Sequence, residues 1–346
     1  MSTATTSRST STSAGSTVKE EVMMIPKDRE LIVEGQARML YPKGLVFYNP
    51  VQEQNRDLSI LMCTLFTERH VKRQEMKRYK KILIQQQKEK QEEKKDVNQL
   101  LQTYEQETDW RKMVNDKNNT QQQEKKKEEG IRILDALAAS GLRSIRYWKE
   151  IPFIKQVVIN DLDPAAVDLA KENITYNNVQ HVLTTDIHGY GIKVQLGDAT
   201  HVMYMSRRPP NLTTYTPTQK QQLDQYHIID LDPYGSAAPF LDAAVQSVIH
   251  GGMLNITCTD MAALGGSHPE TCYGRYGSMP ITRAGYLQEL ALRILLHTLA
   301  ITAAKYGRTI KPILSVGMHF YVRIFVEIHD NKAAVSNNHH HTIHTT

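Results

Sequence analysis

The sequence predicts an α/β fold built on a doubly wound, mostly parallel sheet, and three observations carry that prediction. From Gly130 onward, short apolar runs alternate with helical stretches, as in a chain of strand–helix–strand units. A helix start is written at Asp163-Pro164, a capping carboxylate followed by a proline at the first helical position. Carboxylates also stand at four successive strand ends, Asp135, Asp161, Asp198 and Asp232, along the edge where such sheets bind ligands.

The elements follow in order. Ile32-Val33 and Ala37–Leu40 read as short extended segments, and Phe47–Gln52 as a loop whose Asn49 and Pro50 sit beside aromatic rings. Ile131–Leu134 is a buried strand, followed by a turn and a helix over Leu142–Glu150. Gln156–Ile159 is the second strand, and the Asp163-Pro164 helix runs to about Asn177. Lys193–Leu196 is the third strand; His201–Gln225 is a polar excursion. His227–Leu231 is the fourth, with Ser236 capping a helix that reaches Ile249, and Met253–Thr257 is the fifth. Ala284–Tyr306 is an amphipathic helix stopped by Gly307, and Ile313–Ile328 supplies a closing hairpin.

Composition bounds the rest. In 346 residues, 42 Lys and Arg face 37 Asp and Glu, and 40% of the chain is apolar, enough for a core. No apolar run reaches the length of a membrane span. Cys63, Cys258 and Cys272 are too scattered for a disulfide framework or a C-x-x-C zinc pair, which favours a reducing intracellular compartment. Residues 1–20 are read as a disordered tail: twelve of the first seventeen are Ser or Thr. Its lack of acids is shared with transit peptides, but it is poor in arginine. Residues 71–130 hold sixteen Lys and Arg against twelve Asp and Glu, a net +4 of the chain's +5. They read as a charged helical or disordered insertion, either a solvated face or an arm that touches nucleic-acid backbone.

The strand ends suggest chemistry. Asp135-Ala-Leu-Ala-Ala-Ser-Gly141-Leu-Arg143 is a turn of small residues that lets backbone approach a ligand, though it is no G-x-G-x-x-G fingerprint. Arg143 stands in a helix first turn, which disfavours a cation; either a buried carboxylate partner holds it, from a ligand or Asp135, or it is a surface residue. Asp161 is placed to hold ribose hydroxyls, and Gly197-Asp198-Ala199 would border an adenine. Asp232-Pro233-Tyr234 is the most informative group. An exocyclic amine is a weak nucleophile because its lone pair is delocalised into the ring. A carboxylate and a carbonyl that accept its N–H bonds localise that pair, proline fixes the turn, and tyrosine offers a stacking face.

Taken together, Asp135–Arg143, Asn160–Pro164, Asp230–Gly235 and Thr257–Ala262 resemble one family, as do Phe47–Gln52, Asn55–Ser59 and Ala291–Leu296: the tRNA guanine-26 N2-dimethyltransferases. The resemblance covers most of residues 30–328. It implies a Rossmann-like class I methyltransferase core over 131–329, with its N-terminal part over 21–70. It also implies S-adenosylmethionine as cofactor and tRNA as partner. Arg56, Arg143, Asp161, Asp198 and Ala199 fall on cofactor positions, with Asp135 and Gly141 beside them; Asp232 falls on the catalytic carboxylate, and Phe47 and Tyr234 on the aromatics that frame the base beside Pro233. The family usually has phenylalanine where Tyr234 stands. The expected metal count is zero and the expected state a monomer, in nucleus, mitochondrion or cytoplasm. The family's C-terminal tRNA-gripping domain has no counterpart before the polar stretch 330–346, read as a disordered tail with His339, His340 and His341. Two alternatives stay open: a truncated paralogue that binds tRNA or cofactor without turnover, and an enzyme acting on another amine such as adenine N6.

Overall fold

The computed structural model describes residues 25–44, 48–90, 96–118, 129–186, 189–207, 224–283, 285–318 and 320–336. Phe47, the segment 1–20 and His339–His341 lie outside these residues.

The chain opens with a separate antiparallel hairpin, β1 (Arg29–Glu34) and β2 (Ala37–Pro42), whose inward residues Ala37, Met39 and Tyr41 are buried. Asparagines pin this hairpin to α5 (Pro164–Tyr176): Asn173 Oδ1 accepts from the Leu40 amide at 2.7 Å, and Asn177 Oδ1 from the Arg38 amide at 2.9 Å. Asn49 Oδ1 accepts from the Val51 amide and starts a short 3₁₀ turn that leads into α1 (Glu53–Lys90).

The main sheet has seven strands in the order β5-β4-β3-β6-β7-β9-β8. These are β3 (Ile131–Asp135), β4 (Ile154–Asp161), β5 (Gly191–Leu196), β6 (Tyr226–Leu231), β7 (Val248–Cys258), β8 (Arg308–Met318) and β9 (Tyr321–Asp330). β3 to β7 pair in parallel, and β9 joins β7 and β8 antiparallel. Side chains alternate between the two faces, as pleating requires. Ile133, Val157, Ile228, Met253 and Phe325 face α1, α4 (Leu142–Glu150) and α5. Leu134, Ile229, Leu254 and Ile324 face α6 (Ala199–Met205), α7 (Ala238–Ser247) and α10 (Leu287–Ala304). By length and composition α10 could cross a membrane, but Ala291, Ile294, Leu295, Leu299 and Ala303 are packed in the core.

Three differences from expectation stand out, beside β8, which starts at Arg308 rather than Ile313. β7 starts at Val248, five residues early, because the β-branched pair Val248-Ile249 already extends the chain and Val248 pairs with Tyr226. The preceding helix therefore stops at Ser247, and its N-cap position is Ala237, although Ser236 Oγ still accepts from the Ala238 amide. The polar excursion 201–225 begins inside α6, with Asp198 at the N-cap; residues 208–223 lie outside those described. The third concerns the charged insertion. α1 is one unbroken helix of 38 residues that passes through residue 71 without a break. Its first half is core, with Met62, Cys63 and Phe66 under the sheet. Further along, Val71 packs with Val114 of α3 (Trp110–Asn118) and with Phe153. Arg69 and Arg73 both reach the buried Glu327 of β9.

Candidate active site

Strand order reverses between β3 and β6, so the helices that follow these two strands diverge to opposite faces and leave a cleft at their carboxyl ends. That cleft has a volume of about 870 Å³. Asp135, Arg143, Asp161, Asp232, Pro233 and Tyr234 line it, and Arg56 reaches it from α1. The structure thus gathers most of the residues singled out in the sequence. Asp198, Ala199 and Gly141 are not in its lining. Asp198 is exposed and caps α6, its carboxylate accepting from the His201 amide at 2.8 Å, and Ala199 is buried behind it. Phe47 lies outside the described residues.

One wall is the turn that follows β3. Ala136 donates its amide to the Asp230 carbonyl and Ala138 to the Asn160 carbonyl, which ties the turn to both neighbouring strands. Asp161 Oδ2 accepts from the Ala139 amide at 2.8 Å, so this carboxylate shapes the turn as well as facing the cleft. Ala139 has φ +47°, an unusual left-handed conformation for a residue with a side chain. Gly141, at φ +78°, opens α4, and a Cβ there would stand 3.2 Å from Ala170 Cβ. Glycine lets the helix pack against α5 and keeps the wall close.

Beneath the floor lies a buried ion network that the sequence reading missed. Asp230 is fully buried in β6 and accepts from Arg143 Nη1 at 2.9 Å, Arg323 Nη2 at 2.8 Å, Tyr147 OH at 2.6 Å and Asn255 Nδ2 at 3.0 Å. Burial alone would push its carboxyl up, but Arg143 and Arg323 together hold it below the ordinary range. Arg143 also pairs with Asp232. Its partners are therefore Asp230 and Asp232; Asp135 is instead bonded by Ser144 Oγ at 2.7 Å. Burial pushes the Asp135 carboxyl up to about 7, only partly offset by Arg143. Ser59 Oγ accepts from Arg323 at 2.7 Å and Arg143 at 3.2 Å, and Thr257 also accepts from Arg323. The segments Asn55–Ser59 and Thr257–Ala262 thus meet at Arg323, and Ser59 reaches Arg143 as well.

Arg56 is placed by a second missed acid. Glu34, buried in β1, accepts from Arg56 Nε at 2.7 Å and from Arg146 Nη1 at 2.7 Å. The signal was available in both cases. An aspartate inside the apolar run Ile228-Ile229-Asp230-Leu231 needs buried cations, as does a glutamate in a hairpin against the core.

Comparison with known proteins agrees with this geometry. A family model described as N2,N2-dimethylguanosine tRNA methyltransferase matches residues 27–346. A tRNA (guanine(26)-N(2))-dimethyltransferase of Mus musculus is 40% identical over 318 residues, covering 89% of this chain and 42% of the mouse protein. A mitochondrial tRNA (guanine(26)-N(2))-dimethyltransferase of Saccharomyces cerevisiae is 36% identical over 314 residues, covering 90% of this chain and 49% of the yeast one. The chain therefore spans less than half the length of these curated relatives. The structure of Trm1 from Pyrococcus horikoshii with S-adenosyl-L-methionine aligns with a TM-score of 0.62 at 26% identity, over 89% of this chain and 63% of that one. With the family model matched over nearly its whole length, the chain belongs to the N2,N2-dimethylguanosine tRNA methyltransferase family.

Proposed function

We propose that this chain transfers methyl groups from S-adenosylmethionine to the exocyclic N2 of guanine 26 in tRNA, twice in succession. The observation that carries the reading is the meeting, in one cleft, of the Asp232 carboxylate, the bare Tyr234 ring and the small-residue turn of Leu137–Ser140. The cleft volume lies within the range of about 300–1,000 Å³ usual for ligand pockets. The turn fits an adenosyl group: Ala138, Ala139 and Ser140 line the cleft with short side chains, and Asp161 faces the cleft where ribose hydroxyls bind in such sheets. Asp161, Asp135 and Arg56 would hold the cofactor, with Asp198 and Ala199 at the adenine edge of the same strand-end row.

S-adenosylmethionine, when bound, supplies the sulfonium methyl. The chain's own residues prepare the amine. Asp232 bonds Arg143 through Oδ2, while Oδ1 has no partner among the described residues and is available to the guanine N–H. Accepting that bond draws the nitrogen lone pair out of ring conjugation. The same oxygen takes the proton once the nitrogen becomes tetrahedral and cationic, when its acidity makes even an ion-paired carboxylate an adequate base. Arg143, locked by Asp230 from below, fixes the carboxylate's orientation. Pro233 stiffens the turn, and Tyr234, 92% exposed, presents its ring to a base that has left its stack. tRNA is the partner and the working state a monomer. The compartment is intracellular, with nucleus, mitochondrion and cytoplasm as the sites to examine; all three cysteines are free and buried.

The test is nucleoside mass spectrometry of undermodified tRNA incubated with the chain. The intact chain should yield dimethylguanosine. Asp232→Ala should lose about 10²–10⁴-fold in rate while S-adenosylmethionine still binds. Loss of cofactor binding in that variant would make Asp232 a cofactor ligand and overturn the mechanism.

A further inference from the structure

The cleft has a second wall that belongs to neither the cofactor turn nor the Asp-Pro-Tyr segment. Phe320 and Arg275 contribute to it, from the β8–β9 turn and from the helix that ends at Tyr276. Phe320 sits in the turn between β8 and β9, closed by the Met318–Tyr321 pair, and remains 41% exposed. Its ring packs edge-on against Tyr321, centroids 5.5 Å apart, and Tyr321 is buried, so the inner ring is held while the Phe320 ring stays bare. An aromatic on a fixed turn at a cleft mouth exposes apolar area that a flat ligand would cover.

Arg275, in α9 (Pro269–Tyr276), is aimed by Asp260. Asp260 occupies the N-cap position of α8 (Met261–Leu264) yet makes no capping hydrogen bond. Its carboxylate instead accepts from Arg275 Nη1 at 2.9 Å and from the Tyr276 hydroxyl at 2.9 Å. Tyr276 is buried and its hydroxyl also meets Ser236, two residues beyond Tyr234. The acid of the Thr257–Ala262 segment therefore serves to orient an arginine that is itself 45% exposed at the cleft.

We propose that Phe320 and Arg275 are substrate-recognition residues: Phe320 stacks on the extruded nucleobase opposite Tyr234, and Arg275 takes a phosphate of the same strand. This rests on the reading of the cleft as a tRNA methyl-transfer site, and it assigns the base and backbone contacts of that site. A flat ring and a guanidinium in one cleft, already lined by an exposed tyrosine, match a nucleotide, with its π face and its charge. On the Ser140 side the cleft also carries an aromatic and a guanidinium, Tyr48 and Arg56, but there Arg56 lies over the Tyr48 ring at 5.3 Å and is buried against Glu34, whereas Arg275 stays 45% exposed.

Four full-length proteins test it: the parent, Phe320→Ala, Phe320→Trp and Arg275→Gln. Stacking is worth about 1–3 kcal/mol per base, so Phe320→Ala should raise KM for tRNA roughly 5- to 150-fold. Its affinity for S-adenosylmethionine and its unfolding midpoint should stay at parent values, and Phe320→Trp should restore KM. Arg275→Gln should lower the slope of log affinity against log salt by about 0.7–0.9, one phosphate contact; Phe320→Ala should leave that slope alone. The Phe320→Trp protein also gives a readout free of turnover: its fluorescence should be quenched by a short guanosine-containing RNA. Quenching in a chain that methylates no tRNA would retain the wall and reject the proposed reaction. Unaltered KM in Phe320→Ala, or equal weakening of tRNA and S-adenosylmethionine, would overturn the wall in a chain that does methylate.

Discussion

Replacing Asp230 by asparagine removes one charge and almost no volume, and should be among the most damaging single changes in the molecule. Asp230 and Arg323 are both fully buried, and Arg143 is nearly so. Asparagine leaves Arg143 with Asp232, but Arg323 keeps only the hydroxyls of Ser59 and Thr257. One amide end would also point N–H groups at donors that now find an oxygen, since Tyr147, Asn255 and Arg323 all donate to Oδ2. Breaking a buried pair by deleting one partner costs about 3–5 kcal/mol. At about 2–4 °C per kcal/mol, Tm should fall by roughly 6–20 °C. Urea unfolding followed by circular dichroism measures the same loss as a shifted midpoint. The penalty should be flat between pH 5 and 8. A carboxyl held below its ordinary range contributes its stability above the unfolded value of about 3.9 and loses it only as pH falls through the lower folded value. The double variant Asp230→Asn with Arg323→Met should be less damaged than Asp230→Asn alone, because the orphaned cation is then gone. A loss under about 1 kcal/mol, or a double variant with the full sum of both losses, would refute the account.

Other expectations follow from the same geometry. His70 and His227 meet edge to face at 4.9 Å between α1 and β6, and burial, with Arg73 and Lys77, lowers His70 to about 4. Its folded form binds fewer protons than its unfolded form, so this stability is whole above about pH 6.5 and declines as pH falls toward 4. His70→Gln should therefore flatten the acid limb of urea midpoints by up to about 1.4 kcal/mol per pH unit; an unaltered limb would speak against a neutral His70. Gly141→Ala should cost about 1–2 kcal/mol, from its positive φ and the contact with Ala170, and should weaken S-adenosylmethionine binding by calorimetry. Replacing Lys77, Lys80 and Lys81 by glutamine should lower the salt slope of tRNA binding by about 2–3 with cofactor affinity unchanged, if the lysines meet three phosphates. An unchanged slope would make α1 a solvated face.

Much of this was legible in the sequence, and the limits have physical reasons. The parallel strands were found because buried strands are nearly continuous apolar runs, and Asp163-Pro164 fixed the start of α5, where Asp163 does accept from the Ala165 amide. The row of strand-end acids gave the cleft, because chain direction and sheet order put carboxyl ends together. What could not be read was who pairs with whom. By sequence, Asp135, eight residues away, is the natural partner for Arg143, yet its partners are Asp230 in β6 and Asp232 just past it, eighty-seven and eighty-nine positions on. Pairing across a sheet depends on strand order, and local spacing does not contain it. Asp198 shows the converse. Its position suits a cofactor ligand and a helix cap equally, and the structure shows the cap.

The charged insertion is joined to the active site through α1. This helix starts beside the cleft, where Asn55, Arg56 and Ser59 hold the floor, and ends among lysines. At about 1.5 Å per residue, Lys77 and Lys81 lie roughly 30–40 Å along the axis from Arg56. Between them Arg69 and Arg73 fasten the helix to Glu327 near the far end of β9, and Met62, Cys63 and Phe66 press it to the sheet. The basic end is therefore held at a fixed spacing from Arg56 and the cleft. Deleting residues 72–128 would confuse two effects, since it would strip Arg73 from Glu327 and Val114 from Val71 along with the charge. Removing only exposed charge separates them: attraction for phosphate falls with the lysines, while the helix that carries Ser59 and Arg56 into the site keeps its packing.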